Sequence, residues 1–386
     1  MHVTNPVLSR LALARLADLE EVITAWADKV MALSPYDRGL VPREEVEEGA
    51  RIGFALILRR LAEGTTPPEL AAHSEWLGER RAGQGVPLQS LLAAGRLDAR
   101  ALWQSLVERA GPDDLTELLG GAHLVWEAVE QHVTGLMAGY QRAVLEMGRQ
   151  REDQRRAWFA RLLDNDGRNP DVVRDAGRVL GLDVAGRFSV AVADPVMGAG
   201  LRAAATAVAA SGLRGHRHES PTGDVLVVQL SARPANPEKA VLGFLREVPC
   251  GVSPPVDGLA KVPHAVRLAA AAARTVRPGA GGPLRLEDRW LDVFAAHSPE
   301  LAAELAGRVL GPLAAVGEAE RDRLLETVRT HLAGTGSIAD TAAALYCHRN
   351  TVQHRFARFR ELTGRDVRAP ADGAVVALAL SAAGLR

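Results

Sequence analysis

The feature that most constrains this chain is a stretch from about Asp113 to Leu163 that contains no proline, with Gly120 and Gly121 as its one predicted break. From Ala122 onward, Val129, Val133, Leu136, Tyr140, Val144 and Met147 recur at spacings of three or four, which places them on one face of a helix. A helix over Ala122–Leu163 would run for about 60 Å at roughly 1.5 Å per residue, about twice the width of a small domain. Its middle, 149–156, is strongly charged. A connector or dimer stalk is therefore expected, with Val133, Leu136, Tyr140 and Val144 as the self-association seam. The competing arrangement is a helix folded back on its own domain.

The sequence on either side of this stretch reads differently. With 386 residues the chain is too long for one ordinary core, and two or three domains are expected. Residues 1–165 read as helical throughout. One helix is predicted over Leu8–Leu33, a second opens at Pro42 and stops at Gly64, and others cover Pro67–Arg81 and Pro87–Arg109. Residues 166–290 change period. Arg187–Ala193 and Asp224–Leu230 are β-branched runs bounded by Gly, Pro and Asp, and Cys250–Ser253 is a shorter third strand. Helices are predicted between and after them at Leu201–Ser211, Glu238–Glu247 and Val262–Val276. The cluster PGAGGP at 278–283 reads as a loop, and helices resume at Arg289.

Composition narrows the function. The net charge is −1 and Lys is rare, 3 residues against 43 Arg, so any nucleic-acid contact must come from a local patch. Cys250 and Cys347 lie far apart with no zinc spacing, which fits a reducing cytoplasm. Residues 1–10 carry no charged-then-apolar signal pattern, and no apolar run is long enough for a membrane span. Phosphate-loop, HExxH and GxSxG motifs are absent from the sequence. His73, His123 and His132 fall on predicted helices, but a lone helical His does not make a haem site. Arg80 and Arg81 could take an anion, although an exposed helix face accounts for them as well. No metal or other cofactor is expected.

The local patch lies near the C-terminus, at 337–362. Ser337 caps a short alanine-rich helix, with Asp340 three positions on in a capping-box pattern. Tyr346, Cys347 and His348 form the turn, and a second helix covers Arg349–Leu362 before Gly364. Val352, Phe356 and Phe359 are its buried face. Arg349, Asn350, Gln353 and His354 share the opposite face, with side chains suited to base edges and phosphates. Segment 349–368 holds six arginines and two acids, a net charge of +4. A plain helical hairpin with a solvated basic face would carry the same pattern.

The run LYCHRNTVQHRF (345–356) followed by ELTG (361–364) resembles the C-terminal helix-turn-helix of PucR/CdaR-type transcriptional regulators, whose pattern is L-x-x-H-R-N-T-V-x-x-R and then E-L-T-G. Arg321–Leu332 is similar to the helix that precedes it. The resemblance implies a recognition helix at 349–362 that binds double-stranded DNA through Arg349, Asn350, Thr351, Gln353, His354, Arg355 and Arg358. Gln353 and His354 depart from the residues common in the family, so base preference does not carry over. Cys250–Leu259 with His264–Ala273 resembles the degenerate GGDEF-like domain of these regulators. The segment before the second strand, His218–Asp224, lacks the paired-carboxylate signature a nucleotide cyclase needs for magnesium. Gly78–Ala82, Gly85–Leu88 and Leu102–Trp103 resemble the all-helical RsbRD-type sensor module, a member of a globin-like group.

The expected architecture is multidomain and mostly α. It comprises an all-helical N-terminal domain (1–165), a small α+β GGDEF-like middle domain (166–290) and an all-helical helix-turn-helix C-terminal domain (291–386). The expected protein is a cytoplasmic, homodimeric DNA-binding regulator, not an enzyme, answering to an unknown small-molecule or protein effector. A signalling scaffold with an inert C-terminal hairpin is the main rival, and a cryptic cyclase relative is a third reading.

Overall fold

The computed structural model describes residues 5–195, 198–220, 223–231, 236–276 and 281–384. It is mostly helical and falls into two compact units, Met1–Asp153 and Gln154–Arg386.

The first unit contains α1 (Pro6–Ala17), α2 (Leu19–Met31), α3 (Arg43–Glu63), α4 (Pro68–Gly83), α5 (Leu88–Arg109), α6 (Leu115–Gly120) and most of α7 (Ala122–Asp164). The single helix predicted over Leu8–Leu33 is two helices. The backbone leaves the helical region at Asp18 (φ −123°, ψ 41°), and its carboxylate pairs with Arg109. The predicted apolar positions still reach one core, where Leu8, Leu11, Ile23 and Val30 join Phe54, Ile57, Leu102 and Leu106. α3 ends at Gly64 in the left-handed region (φ 67°), a conformation that glycine adopts without a Cβ penalty.

α7 matches the predicted long helix closely, but its apolar face is not a free seam. Leu136 is 3% exposed, Val133 and Tyr140 pack against the unit's own core, and the Tyr140 hydroxyl donates to the Val86 carbonyl at 2.9 Å. This corrects the dimer seam expected from the sequence. Of its four residues, Val144 remains outside, 45% exposed, beside Leu145 at 64%. Glycines explain how the face was consumed. A Cβ on Gly78 would lie 2.0 Å from the Leu136 carbonyl oxygen, and one on Gly139 would lie 1.9 Å from that of Glu75. α4 and α7 therefore touch backbone to backbone.

The second unit opens with the end of α7, whose Phe159 and Leu162 are buried against α8 (Pro170–Leu180) and one face of a sheet. The strands are β1 (Arg187–Ala193), β2 (Gly215–Ser220), β3 (Gly223–Leu230), β4 (Cys250–Val252), β5 (Val256–Asp257) and β6 (Pro283–Arg285), in the order β2-β3-β1-β4-β6, with β5 also on β1. β1, β2 and β3 are antiparallel, and β4 pairs with β6 in parallel. Phe188, Val190 and Val192 of β1 face α8 and α11 (Val262–Ala273). Ala191 and Ala193 face α9 (Gly198–Ala210) and α10 (Pro237–Phe244). Both faces are covered, which is why Val190–Ala193 is an unbroken apolar run and Ser189 before it is buried as well. His218–Ser220 and Gly223–Asp224, read as a loop from the sequence, belong to the β2–β3 hairpin. Of the predicted loop 278–283, residues 278–280 lie outside the described residues and Pro283 opens β6.

The unit ends with α12 (Trp290–His297), α13 (Pro299–Leu310), α14 (Glu318–Ala333), α15 (Ile338–Ala344), α16 (Arg349–Thr363) and α17 (Pro370–Gly384). Among the described residues no helix is long and apolar enough to cross a membrane.

Replacing Gly139 by Ala tests the α4–α7 contact. Ala favours a helix over Gly by about 1 kcal/mol, but the new methyl would meet a backbone carbonyl that no rotamer change can move. Overpacking of this kind costs about 1–3 kcal/mol, so thermal denaturation of the full chain should show Gly139→Ala melting below the wild type. An equal or higher melting temperature would mean the helices cross less closely.

Candidate nucleic-acid interface

α16 owes its position to three buried side chains. Val352, Phe356 and Phe359 are 2% exposed or less and share a core with Leu324, Val328, Ala342, Val376 and Ala379 of the surrounding helices. Cys347 packs against the same core from the turn. The ring of His331 meets Phe356 edge-on with centroids 4.7 Å apart. Thr341 gives its hydroxyl proton to the Ser337 carbonyl at 2.7 Å, so its oxygen accepts from His331 Nδ1 at 3.1 Å. Burial holds the His331 pKa below its ordinary value, consistent with a neutral ring that donates through Nδ1.

The preceding helix is capped as expected, since Ser337 Oγ accepts from the amides of Ala339 and Asp340 at 3.2 and 3.3 Å. The reciprocal arm of the capping box is missing. The Asp340 carboxylate accepts from the Thr335 hydroxyl, at 2.5 Å, and the Ser337 amide donates to Thr335 Oγ1. In the turn, Tyr346 adopts φ 50° with its side chain 98% exposed. His348 then caps α16, its Nδ1 accepting from the Asn350 amide at 3.2 Å.

The exposed face of α16 is polar and unengaged at its N-terminal half. Arg349, Asn350, Thr351, Gln353 and His354 are exposed, and among the described residues Arg349 forms no ion pair. Arg355 and Arg358 depart from the expected pattern. Arg355 is half-buried and donates to Thr327 Oγ1 of α14 at 3.0 Å, while Arg358 pairs with Glu320 at 3.0 Å and Glu361 at 2.7 Å. Arg360, Arg365 and Arg368 also pair with Asp366 or Asp372, and Arg368 holds the Asp366 carboxyl down at about 2. The excess counted from the sequence is thus partly met by Glu320 and Asp372 from outside the segment, and among the described residues Arg349 and Arg355 are left without an acid, Arg355 being held by the Thr327 hydroxyl. Sequence reading passed over two features, Tyr346 as an exposed turn aromatic and His348 as a cap. An aromatic between Leu345 and the His-Arg-Asn run was the available signal for the first.

Three family models match the chain. They describe the RsbT co-antagonist protein rsbRD N-terminal domain over residues 20–155, the GGDEF-like domain over 165–275 and the PucR C-terminal helix-turn-helix domain over 324–382. The third spans the hairpin just described. The chain is a PucR/CdaR-type transcriptional regulator. It binds DNA through this module, and its N-terminal domain fits a sensing role. Among solved structures the regulator is similar to the crystal structure of a regulator of polyketide synthase expression from Bifidobacterium adolescentis, at 26% identity over 60% of this chain and 92% of that one, with a TM-score of 0.32. No curated protein matches it.

The other candidate groups lie elsewhere in the regulator. At the β2–β3 hairpin, Asp224 and Glu219 both receive Arg217, so those two carboxylates are charge-compensated. In the N-terminal unit Arg80 is exposed but Arg81 is buried, and both bind Glu45; the expectation of a shared exposed face is corrected. His123 sits exposed beside the Gly120 carbonyl. His73 stacks on His132, rings 6.4 Å apart. Ser74 gives its proton to the Leu70 carbonyl at 2.6 Å, so its oxygen accepts from His132 Nδ1 at 2.7 Å. His132 Nε2 then faces the Asp98 carboxyl across 4.0 Å, and Asp98 accepts from Trp26 Nε1 on its other oxygen at 2.7 Å.

Burial moves this pair in opposite directions. It lifts the Asp98 carboxyl to about 7 and pushes His132 down to about 4, helped by His73. A raised carboxyl weakens the fold as pH climbs from about 4 to about 7, because the folded form then holds the extra proton. A lowered imidazole weakens it as pH falls from about 6.5 to about 4, because the unfolded form then holds the extra proton. The two slopes oppose each other, each at most about 1.4 kcal/mol per pH unit. Between pH 4.5 and 6.5, Asp98→Asn should therefore gain stability as pH rises and His132→Gln should lose it. Parallel slopes in denaturant titrations of the two variants would refute the coupled arrangement.

Proposed function

We propose that the regulator reads base edges with Arg349, Asn350, Gln353 and His354, and that Thr351 and Tyr346 meet the DNA backbone beside them. The observation that carries this is the division of α16. Its apolar side is committed to the core, and its N-terminal polar side projects from the fold with no competing ion pair among the described residues. Arg355 and Arg358 act differently in this reading. They brace α16 against α14 and against Glu320, orienting the reading residues.

The functional division follows the expected one, with a sensor over 1–165, a relay over 166–290 and a DNA-binding part over 291–386. The relay is not catalytic in this proposal, since Arg217 occupies the carboxylates of the hairpin. The regulator works in the cytoplasm as a homodimer on a two-half site, because one helix-turn-helix rarely binds tightly at physiological salt. The exposed stretch of α7 around Val144 and Leu145 is the proposed contact between copies.

Selection of bound sequences from random DNA by the purified chain tests the reading. Gln353→Ala should relax preference at one base position, with a loss of about 1–3 kcal/mol there. Tyr346→Gly should weaken binding evenly across sequences. It should also leave the fold as stable or up to about 1 kcal/mol more so, since glycine relieves the left-handed backbone. Unchanged selection by Gln353→Ala together with unchanged affinity of Tyr346→Gly would place the groove contact elsewhere. A concentration-independent monomer mass in sedimentation, with one chain per site, would remove the dimer.

A further inference from the structure

The described surface of the second unit has a groove of 530 Å³ between α11 and α12. Its floor is apolar. Leu286 is fully buried beneath it and packs with Val293, Leu268 and Ala271. Its lip is aromatic, with Trp290 43% and Phe294 63% exposed and their rings 6.2 Å apart. Large aromatic side chains left in water around a concave apolar floor mark a binding site more often than an ordinary surface.

Two guanidinium groups, Arg267 and Arg274, line the groove beside His264 and His297, and among the described residues no acid is part of its lining. Arg267 is satisfied by Asp166. Arg274 is not: its guanidinium lies 3.3 Å from His297 Nδ1, and among the described residues no carboxylate pairs with it. A second copy docking through a twofold axis would bring the same patch against itself and enclose Arg274 without a counter-charge, which is costly. A ligand that supplies both an apolar body and a negative charge meets every requirement of the site.

We propose that this groove binds an organic carboxylate with a hydrophobic chain or ring, its carboxylate on Arg274 and its body against Trp290, Phe294 and Leu268. The volume lies within the usual range of about 300–1,000 Å³ for small-molecule sites. The groove is also placed to be felt. The far side of α12 holds α17, through Asp292 accepting from the Ser381 hydroxyl and through Ala295 packed on Ala382. α17 in turn contributes Val376 and Ala379 to the core that seats α16. The consequence for transcription rests on the DNA-binding reading above, whereas the binding itself does not.

Calorimetric titration of the full chain with octanoate, octanol and octyltrimethylammonium tests the proposal without DNA. Octanoate should bind saturably at one site per chain, more tightly than octanol and at least about tenfold more tightly than the cation. Arg274→Gln should weaken octanoate by about 10–100-fold, the worth of a charge-assisted hydrogen bond, and leave octanol unchanged. Phe294→Ala should weaken both. Absence of saturable octanoate binding, equal binding of the cation, or full affinity in both variants would overturn the proposal. So would a Phe294→Ala chain that sediments as a monomer where the wild type is a dimer, with no octanoate bound by either, since the groove would then be covered by another copy. DNA affinity measured on the same samples separates a failure of the site from a failure of the DNA-binding reading.

Discussion

The close crossing of α4 and α7 decides what the N-terminal half of this chain can do. Two glycines bring helix backbones within reach of each other's carbonyls, and Tyr140 then seals the end of the contact on Val86. Because that face of α7 is spent inside the unit, the helix cannot also present it to a second chain. The geometry also sets His132 of α7 against Ser74 of α4, burying a titratable ring that must stay neutral. An interior with Asp98, Arg81 and His132 is expensive to assemble, because each polar group must find a partner out of water. The partners come from separate helices, so the network couples their positions.

Much of the fold was legible because its signals are local. Proline starts and glycine stops gave α3 and α5, and the uninterrupted periodicity gave α7 nearly to the residue. β1 and β3 announced themselves as β-branched runs because both faces of the sheet are covered. The failures are equally physical. β2 has the sequence GHRHES and lies at the sheet edge with little of it buried, so it carries no hydrophobic period. α8 has an Asn169 cap, Pro170 in its first turn and Gly181 in the left-handed region, a full set of signals that went unread. The break at Asp18 has no glycine or proline to mark it.

The helix-turn-helix was the most readable part, since the spacing of Val352, Phe356 and Phe359 fixes which side of α16 faces inward. Charge was the least readable. In an arginine-rich chain, counting cations over a window overstates the field they make, because their acids can come from another helix. Glu320 of α14 answers Arg358 across a tertiary contact far along the chain, and Asp372 of α17 answers Arg365 from just beyond the counted segment. Periodicity predicts direction well, whereas charge pairing depends on partners that only the fold brings together.

The pairing pattern also separates two kinds of arginine on α16. A guanidinium held by a carboxylate or hydroxyl of its own fold has little left to offer a phosphate, and pulling it away would leave that partner unsatisfied. Arg355 and Arg358 are of this kind, and in the proposed function their rigidity holds the reading helix still. Arg349 is of the other kind, one residue after the His348 cap and at the end of the helix where the peptide dipoles favour an anion. The same fifteen-residue helix thus divides its cations by position. Arg355 and those toward the C-terminus are held by a hydroxyl or by acids of the fold, and the one at the N-terminus has no ion pair among the described residues.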